Sequence, residues 1–203
     1  LYFGKDIQII GMNKISVGKK CSFGDQLWLN IKNSGFQDNC KTVFIGEYSN
    51  IGRNNFITVS DGLTIREYFF SSCYCVIVGA SHEADPLHPY ISAPVTPLAG
   101  DIVIGSNVFM GVRSKIVGGV TIGFGSIISA GALVTSDVPP LSQVIGSPAK
   151  IISRYSIERC RWEKGSELAG DIISENRYLE LLRAQCPSVS IPYHAASVRN
   201  GWI

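Results

Sequence analysis

The sequence predicts a mainly β chain wound as a parallel β-helix of hexapeptide repeats, and three observations predict it. Between Ile102 and Val138 an apolar residue returns at every sixth position: Ile104, Met110, Ile116, Ile122, Ile128 and Val134. The residue after each anchor is small or β-branched (Gly105, Gly111, Val117, Gly123, Ser129, Thr135), and the fourth after it is small or apolar (Val108, Ser114, Val120, Ser126, Ala132, Val138). Shorter runs of the same period lie upstream. A period of 3.6 would scatter these anchors around a helix, and a period of two leaves the intervening positions unexplained. A fixed short period means stacked repeats, each hexad one short strand and a corner. One coil cannot bury its own core, whereas stacked coils bury one another's anchors and pair one another's backbone groups.

Taken in order, Ile9, Ile10 and Ile15 lead into a first run at Val17, Phe23 and Leu29, with Gly18 and Gly24 in the small positions and Cys21 in the apolar phase. Leu29 to Ile45 is sixteen residues, not a multiple of six, so an excursion leaves the coil near 31–42, where Asn33, Ser34, Gly35, Asp38 and Asn39 give loop composition. A second run follows at Ile45, Ile51, Ile57, Leu63, Phe69 and Cys75. From Ile45 to Ile104 is fifty-nine residues, again out of phase, and residues 80–100 contain Pro86, Pro89, Pro94 and Pro97 with His82 and His88. Those prolines forbid a regular ladder there, so a long loop is expected to protrude, and long loops on rigid scaffolds are usually functional.

After Pro139 and Pro140 the hexad phase is lost. Ile157, Cys160 and Arg161 suggest a short helix, and Ile172, Ile173, Asn176, Leu179, Leu182 and Arg183 a clearer amphipathic helix starting near Asp171. These C-terminal helices are expected to cap the open end of the stack. The expected division is a β-helix domain over residues 1–152 and a helical cap with an irregular tail over 153–203.

Composition narrows the function classes. The 203 residues are 45% hydrophobic with a formal net charge of +2, and no basic run or basic-aromatic alternation points to nucleic acid. The longest apolar stretches, such as Val76 to Ala80, are far too short to span a membrane, and the amino end lacks a signal-peptide pattern, so a cytoplasmic protein is expected. None of the six cysteines makes a CxxC pair, and without export signals no disulfides are expected. Cys73 and Cys75 alternate along a run and do not suggest a metal pair.

The stretch DIVIGSNVFMGVRSKIVGGVTIGFGSIISAGALVTSDVPPLSQVIGSPAK, from Asp101 to Lys150, resembles the end-of-coil signature of the hexapeptide-repeat acyltransferases with a left-handed β-helix. Gly79-Ala-Ser-His82-Glu ahead of the proline-rich loop, and Asp171-Ile-Ile-Ser-Glu-Asn176 after the coil, resemble the xenobiotic and saccharide O-acetyltransferase branch. The resemblance covers roughly Val17 to Leu182. It implies a left-handed coil, a homotrimer with active sites between neighbouring prisms, acetyl-CoA along the coils as co-substrate, no metal, and a loop histidine as base. Carried over residue by residue, the base is His82. Ala130 and Thr135 are expected near the donor's pantetheine arm and Lys150 near its phosphates; Gly111 is a further donor-binding candidate, as is Arg154, which stands one residue from a basic position of the family.

The chemistry fits these residue types. Acyl transfer from a thioester to a hydroxyl needs a base for the hydroxyl proton, and a neutral imidazole suits that task. Glu83 and Asp85 lie close enough in sequence to orient the His82 ring through its other nitrogen. Backbone N–H groups near the loop's return at Gly100 are candidates to receive the developing oxyanion. For the acceptor, His88, Tyr90 and Trp28 are the candidate contacts. Tyr68, Phe69, Phe70 and Tyr74 carry the same ambiguity between stacking on a sugar and packing in the core or an interface.

The leading expectation is therefore an acetyl-CoA-dependent O-acetyltransferase acting on a saccharide hydroxyl by direct transfer, with an antibiotic or an amine as alternative acceptors. Two other readings share the coil. The γ-class carbonic anhydrases hold zinc with a pattern resembling HxxxxH and a third histidine upstream, whereas here His82 and His88 make HxxxxxH and no histidine precedes them. A non-catalytic scaffold would need neither a loop base nor Lys150.

Overall fold

The computed structural model of the chain describes residues 1–31, 42–98, 100–166 and 173–189. The repeats wind as a three-faced parallel β-helix, each turn laying one strand on each of three sheets. The first face stacks Tyr2–Phe3, Ser22–Phe23, Asn50–Ile51, Phe70–Ser71, Phe109–Met110, Ile127–Ile128 and Ser142–Ile145. The second stacks Gln8–Ile10, Trp28–Ile31, Phe56–Val59, Val76–His82, Lys115–Val117 and Leu133–Val134. The third stacks Ile15–Val17, Val43–Ile45, Leu63–Ile65, Ile102–Ile104 and Thr121–Ile122. Inside runs one continuous apolar core containing the sequence-predicted anchors from Phe23 to Val134.

Backbone proximity, more than backbone conformation, explains the glycines that follow Ile104, Met110 and Ile122. A Cβ on Gly111 would stand 2.6 Å from the Ala130 nitrogen of the next coil, and one on Gly105 as close to the Phe124 nitrogen. The left-handed corner residues include Tyr48, Tyr68, Tyr74, Arg113 and Leu141, so these corners carry large side chains that the crowded positions of Gly105, Gly111 and Gly123 could not.

The register of the second run differs from the sequence expectation. Ile45 pairs with Ile65 and Ile57 with Ile77, so the anchors after Ile57 are Ile65, Ser71 and Ile77. Leu63, Phe69 and Cys75 are buried, but each sits two residues before an anchor. The turn at Ser60–Gly62 lengthens this coil, and period-two geometry turns both phases inward, so apolar residues mark either equally well. Ser71 is the polar exception among the anchors. Its hydroxyl accepts from the Asn55 amide at 2.5 Å and the Gly52 N–H at 3.1 Å, which satisfies it inside the prism.

Two further expectations are corrected. The segment after Gly79 is a β-arm: Val76–His82 runs out of the second face, and Val95–Pro97 returns antiparallel, pairing Ala80 with Pro97, Ser81 with Thr96 and His82 with Val95. The prolines do not prevent this ladder, because the returning strand is an edge and Pro97 closes its end. Residues 157–161 do not form a helix. Lys150–Ser156 and Arg161–Lys164 extend the first face as antiparallel strands, joined by a turn in which Ser156 Oγ accepts the Arg159 N–H. The expected boundary at residue 152 falls inside the first of these strands.

Among the described residues one α-helix follows, α1 (Glu175–Gln185), with Ser174 as its N-cap accepting from the Arg177 N–H. It lies along one edge of the prism and does not cap its end. Glu175 accepts the Ser106 N–H at 2.7 Å, Tyr178 bonds the Asn107 amide, and the Tyr178 ring packs on Phe124 one coil on. Ala149 and Ile151 pack against the core at the C-terminal end of the stack. The first excursion (32–41), Asp171, Ile172 and the tail from 190, including His194, lie outside the described residues.

Candidate active site

The arm presents His82 at the end of its outgoing strand, exposed within the single chain. The His82 Nδ1 stands 2.8 Å from the Ala93 carbonyl oxygen. A carbonyl can only accept, so this contact places the ring proton on Nδ1 and leaves the Nε2 lone pair free to take a proton. The expectation that Glu83 or Asp85 orients the ring is thereby replaced. Both carboxylates are exposed, and Asp85 Oδ1 accepts the Leu87 N–H at 2.9 Å within the arm's turn. Ala93 carries no sequence signal of its own; its role follows from the antiparallel pairing of His82 with Val95, which the proline content concealed.

The remaining positions divide. On the second face Val78 pairs with Val117, and Ile116 with Val134, so Val78, Val117 and Thr135 occupy successive layers at about 4.8 Å each. Below Leu133 the chain passes once more. The Leu133 N–H donates to the Gly146 carbonyl, and the Ala149 N–H to the Leu133 carbonyl, which brings Lys150 to the foot of the same face. Ala130 lies at the corner entering that strand, and Ala130, Thr135 and Lys150 are all exposed. Gly111 is buried one coil above Ala130.

Arg154 does not belong with them. Its side chain is buried, at 6% exposure, and its guanidinium donates to the Pro140 carbonyl at 2.9 Å and the Ser166 carbonyl at 3.4 Å. Burial lowers its pKa from the ordinary arginine value. It braces the hairpin against the last corner of the coil, away from a solvent-facing anion.

The acceptor candidates are likewise separated. His88 and Tyr90 share the arm with His82, and His88 Nε2 lies 3.3 Å from Ser92 Oγ. Trp28 is on the second face two layers above Val76, stacked on Phe56 at 4.3 Å between ring centroids. The other aromatics do not converge on the arm. Phe69 is buried, Tyr68 stacks on Tyr48, Phe70 packs on Phe109, and Arg113 lies over the Tyr74 ring.

Burial raises the thiol pKa of Cys21 and Cys75, which keeps both core sulfurs protonated. Among the described residues no group of three or more His, Cys, Asp or Glu side chains converges as a metal site, and no helix is long and apolar enough to cross a membrane.

No family model matches the chain. Over 60 residues it is 47% identical to a putative acetyltransferase, SAR2635, of Staphylococcus aureus strain MRSA252, a match that spans 30% of each chain. It is 43% identical over 60 residues to a 2,3,4,5-tetrahydropyridine-2,6-dicarboxylate N-acetyltransferase of S. aureus strain JH9, spanning 30% of this chain and 25% of that one. Among solved structures, the hexapeptide-repeat acetyltransferase VCA0836 from Vibrio cholerae is similar at 27% identity and a TM-score of 0.50, covering 68% of this chain and 72% of that one. AntD, an N-acyltransferase from Bacillus cereus solved with dTDP and 3-hydroxybutyryl-CoA, shares the fold at 19% identity and a TM-score of 0.63, covering 91% and 90%. With its hexad anchors stacked in a three-faced parallel coil, the chain is similar in fold to a hexapeptide-repeat acetyltransferase and, over less than a third of their length, similar in sequence to curated acetyltransferases.

Proposed function

We propose that the protein transfers an acetyl group from acetyl-CoA to a hydroxyl of a saccharide, with His82 as general base. The observation that carries this reading is the bond from His82 Nδ1 to the Ala93 carbonyl, which leaves Nε2 to accept a proton. The acceptor oxygen attacks the thioester carbonyl as its proton passes to Nε2. The carbon–sulfur bond then breaks, and the imidazolium returns the proton to the leaving CoA thiolate. Transfer is direct, a reading supported by the His82 ring's hydrogen bond, which goes to the Ala93 carbonyl and not to a cysteine or serine nucleophile. The donor lies along the foot of the second face, with Ala130 and Thr135 beside its pantetheine arm and Lys150 at its phosphates. His88 and Tyr90, which share the arm with His82, face the acceptor, whereas Trp28 packs on Phe56 two layers away and takes no part. The assembly is a cytoplasmic homotrimer of left-handed coils whose sites lie between subunits, consistent with the exposure of His82 within one chain.

The test is thiol release from acetyl-CoA across a panel of saccharides, antibiotics and amines, with the wild type and His82→Ala. The expected result is turnover on at least one saccharide, a loss of about a hundredfold or more in kcat for His82→Ala, and unchanged CoA binding. Full activity without His82 removes it from the mechanism. Acetylated enzyme trapped without acceptor overturns direct transfer.

A further inference from the structure

Within the chain, the arm's turn has little packing to define it. Leu87 is 94% exposed and Ile91 98%, so polar bonds must decide its conformation. Those bonds converge on Ser92. Its N–H and its hydroxyl each donate to the Pro89 carbonyl at 3.0 Å, and its Oγ lies 3.3 Å from His88 Nε2. The next residue is Ala93, whose N–H closes the single 3-10 turn onto the Tyr90 carbonyl at 3.2 Å and whose own carbonyl receives His82 Nδ1. Ala93 is 6% exposed on an otherwise open arm. The ladder on the other side, with the Glu83 N–H donating to the Pro94 carbonyl, fixes where the strands lie. The direction of the Ala93 carbonyl also depends on the turn that precedes it.

We propose that Ser92 is a positioning residue for His82: by tying the Tyr90–Ser92 turn to Pro89 and His88, its hydroxyl aims the Ala93 carbonyl at Nδ1 and so fixes which ring nitrogen is the base. The hydroxyl uses its one proton on the Pro89 carbonyl and its lone pairs toward the His88 ring, so a single side chain joins the start of the turn to the residue before it. Removing it leaves the backbone bonds of the turn but not the cross-tie. The inference rests on His82 being the base, and the experiment separates the two.

The variants are Ser92→Ala and Ser92→Thr, the latter keeping the hydroxyl. The first readout is nitrogen-15 NMR of the imidazoles, which reports the tautomer of each ring without any substrate; the chain has three histidines, and His82→Ala assigns the signal. The second is steady-state kinetics with acetyl-CoA and the acceptor found above. Ser92→Ala is expected to mix the two His82 tautomers and lower kcat about tenfold with an unchanged KM for acetyl-CoA, and Ser92→Thr to restore both. A His82 ring that stays wholly Nδ1-protonated in Ser92→Ala, with wild-type kcat, overturns the proposal. If His82→Ala keeps full activity, the reading of the function fails instead, and the tautomer measurement still decides whether Ser92 orients the ring.

Discussion

The carboxylate of Asp101 accepts the Gly62 backbone N–H at 2.7 Å, and this bond closes the coil at the point where the arm rejoins it. The same device recurs where Asp25 takes the Lys5 N–H and Asp137 the Thr121 N–H. In each case a side chain supplies the acceptor that the neighbouring coil's backbone does not.

Asp101→Ala should therefore loosen the root of the arm. A hydrogen bond to a charged group contributes about 1.5 to 3 kcal/mol, and partial exposure places this one at the low end. Urea unfolding should show a lower midpoint, with faster hydrogen exchange at Gly62, and Asp101→Asn should recover most of both. Unchanged exchange at Gly62 would rule out the anchoring role.

Arg154 and Lys150, both basic and both near the end of the coil, should separate cleanly. Arg154→Met removes the buried tie to the Pro140 and Ser166 carbonyls at a cost of about 1 to 3 kcal/mol, lowering the melting temperature by several degrees. Its KM for acetyl-CoA should not move. Lys150→Ala should do the reverse, raising KM severalfold while leaving the melting curve in place. A raised KM for Arg154→Met without destabilisation would return that residue to the donor site.

Burial raises the Tyr178 phenol pKa, against the weaker pull of its bond with the Asn107 amide. The native state then holds the phenol proton more tightly than the unfolded chain, whose tyrosines titrate near 10. Above that value the unfolded state binds fewer protons, so this contribution is present below about pH 10 and is lost as pH rises through the folded pKa. Melting temperature should fall between about pH 9 and about pH 11, and Tyr178→Phe should flatten that fall. An identical slope in the variant would show that Tyr178 titrates freely.

The repeat was legible where one residue type satisfies one position. Ile104 to Val134 were read correctly because a strict six-residue return of apolar anchors is reinforced by glycines that the next coil's backbone requires, as the approach of Gly111 to Ala130 shows. Leu63, Phe69 and Cys75 were misread because two alternating positions of a short strand both face inward, and composition cannot tell them apart. The position of His82 on a protruding segment was visible in the prolines and the broken phase. Its partner was not, since a backbone carbonyl has no letter of its own, and the pairing of His82 with Val95 arises from a hairpin whose prolines argue locally against it. Arg154 was misplaced for a related reason: sequence position records that a cation is near the coil's end, while only the fold records that it points inward.

The arm enters between Ile77 and Ile104, yet Ile104 still pairs with Ile65 as though nothing had been inserted. Each coil senses only the coils directly above and below it, so whatever is spliced at that seam leaves the stacking energy untouched. Lengthening a flexible insertion is also inexpensive, at about 0.6 kcal/mol per doubling. A segment spliced between Gly79 and Asp101 can thus change in length and sequence while the coils above and below keep their register, so arm and stack can be altered independently of each other.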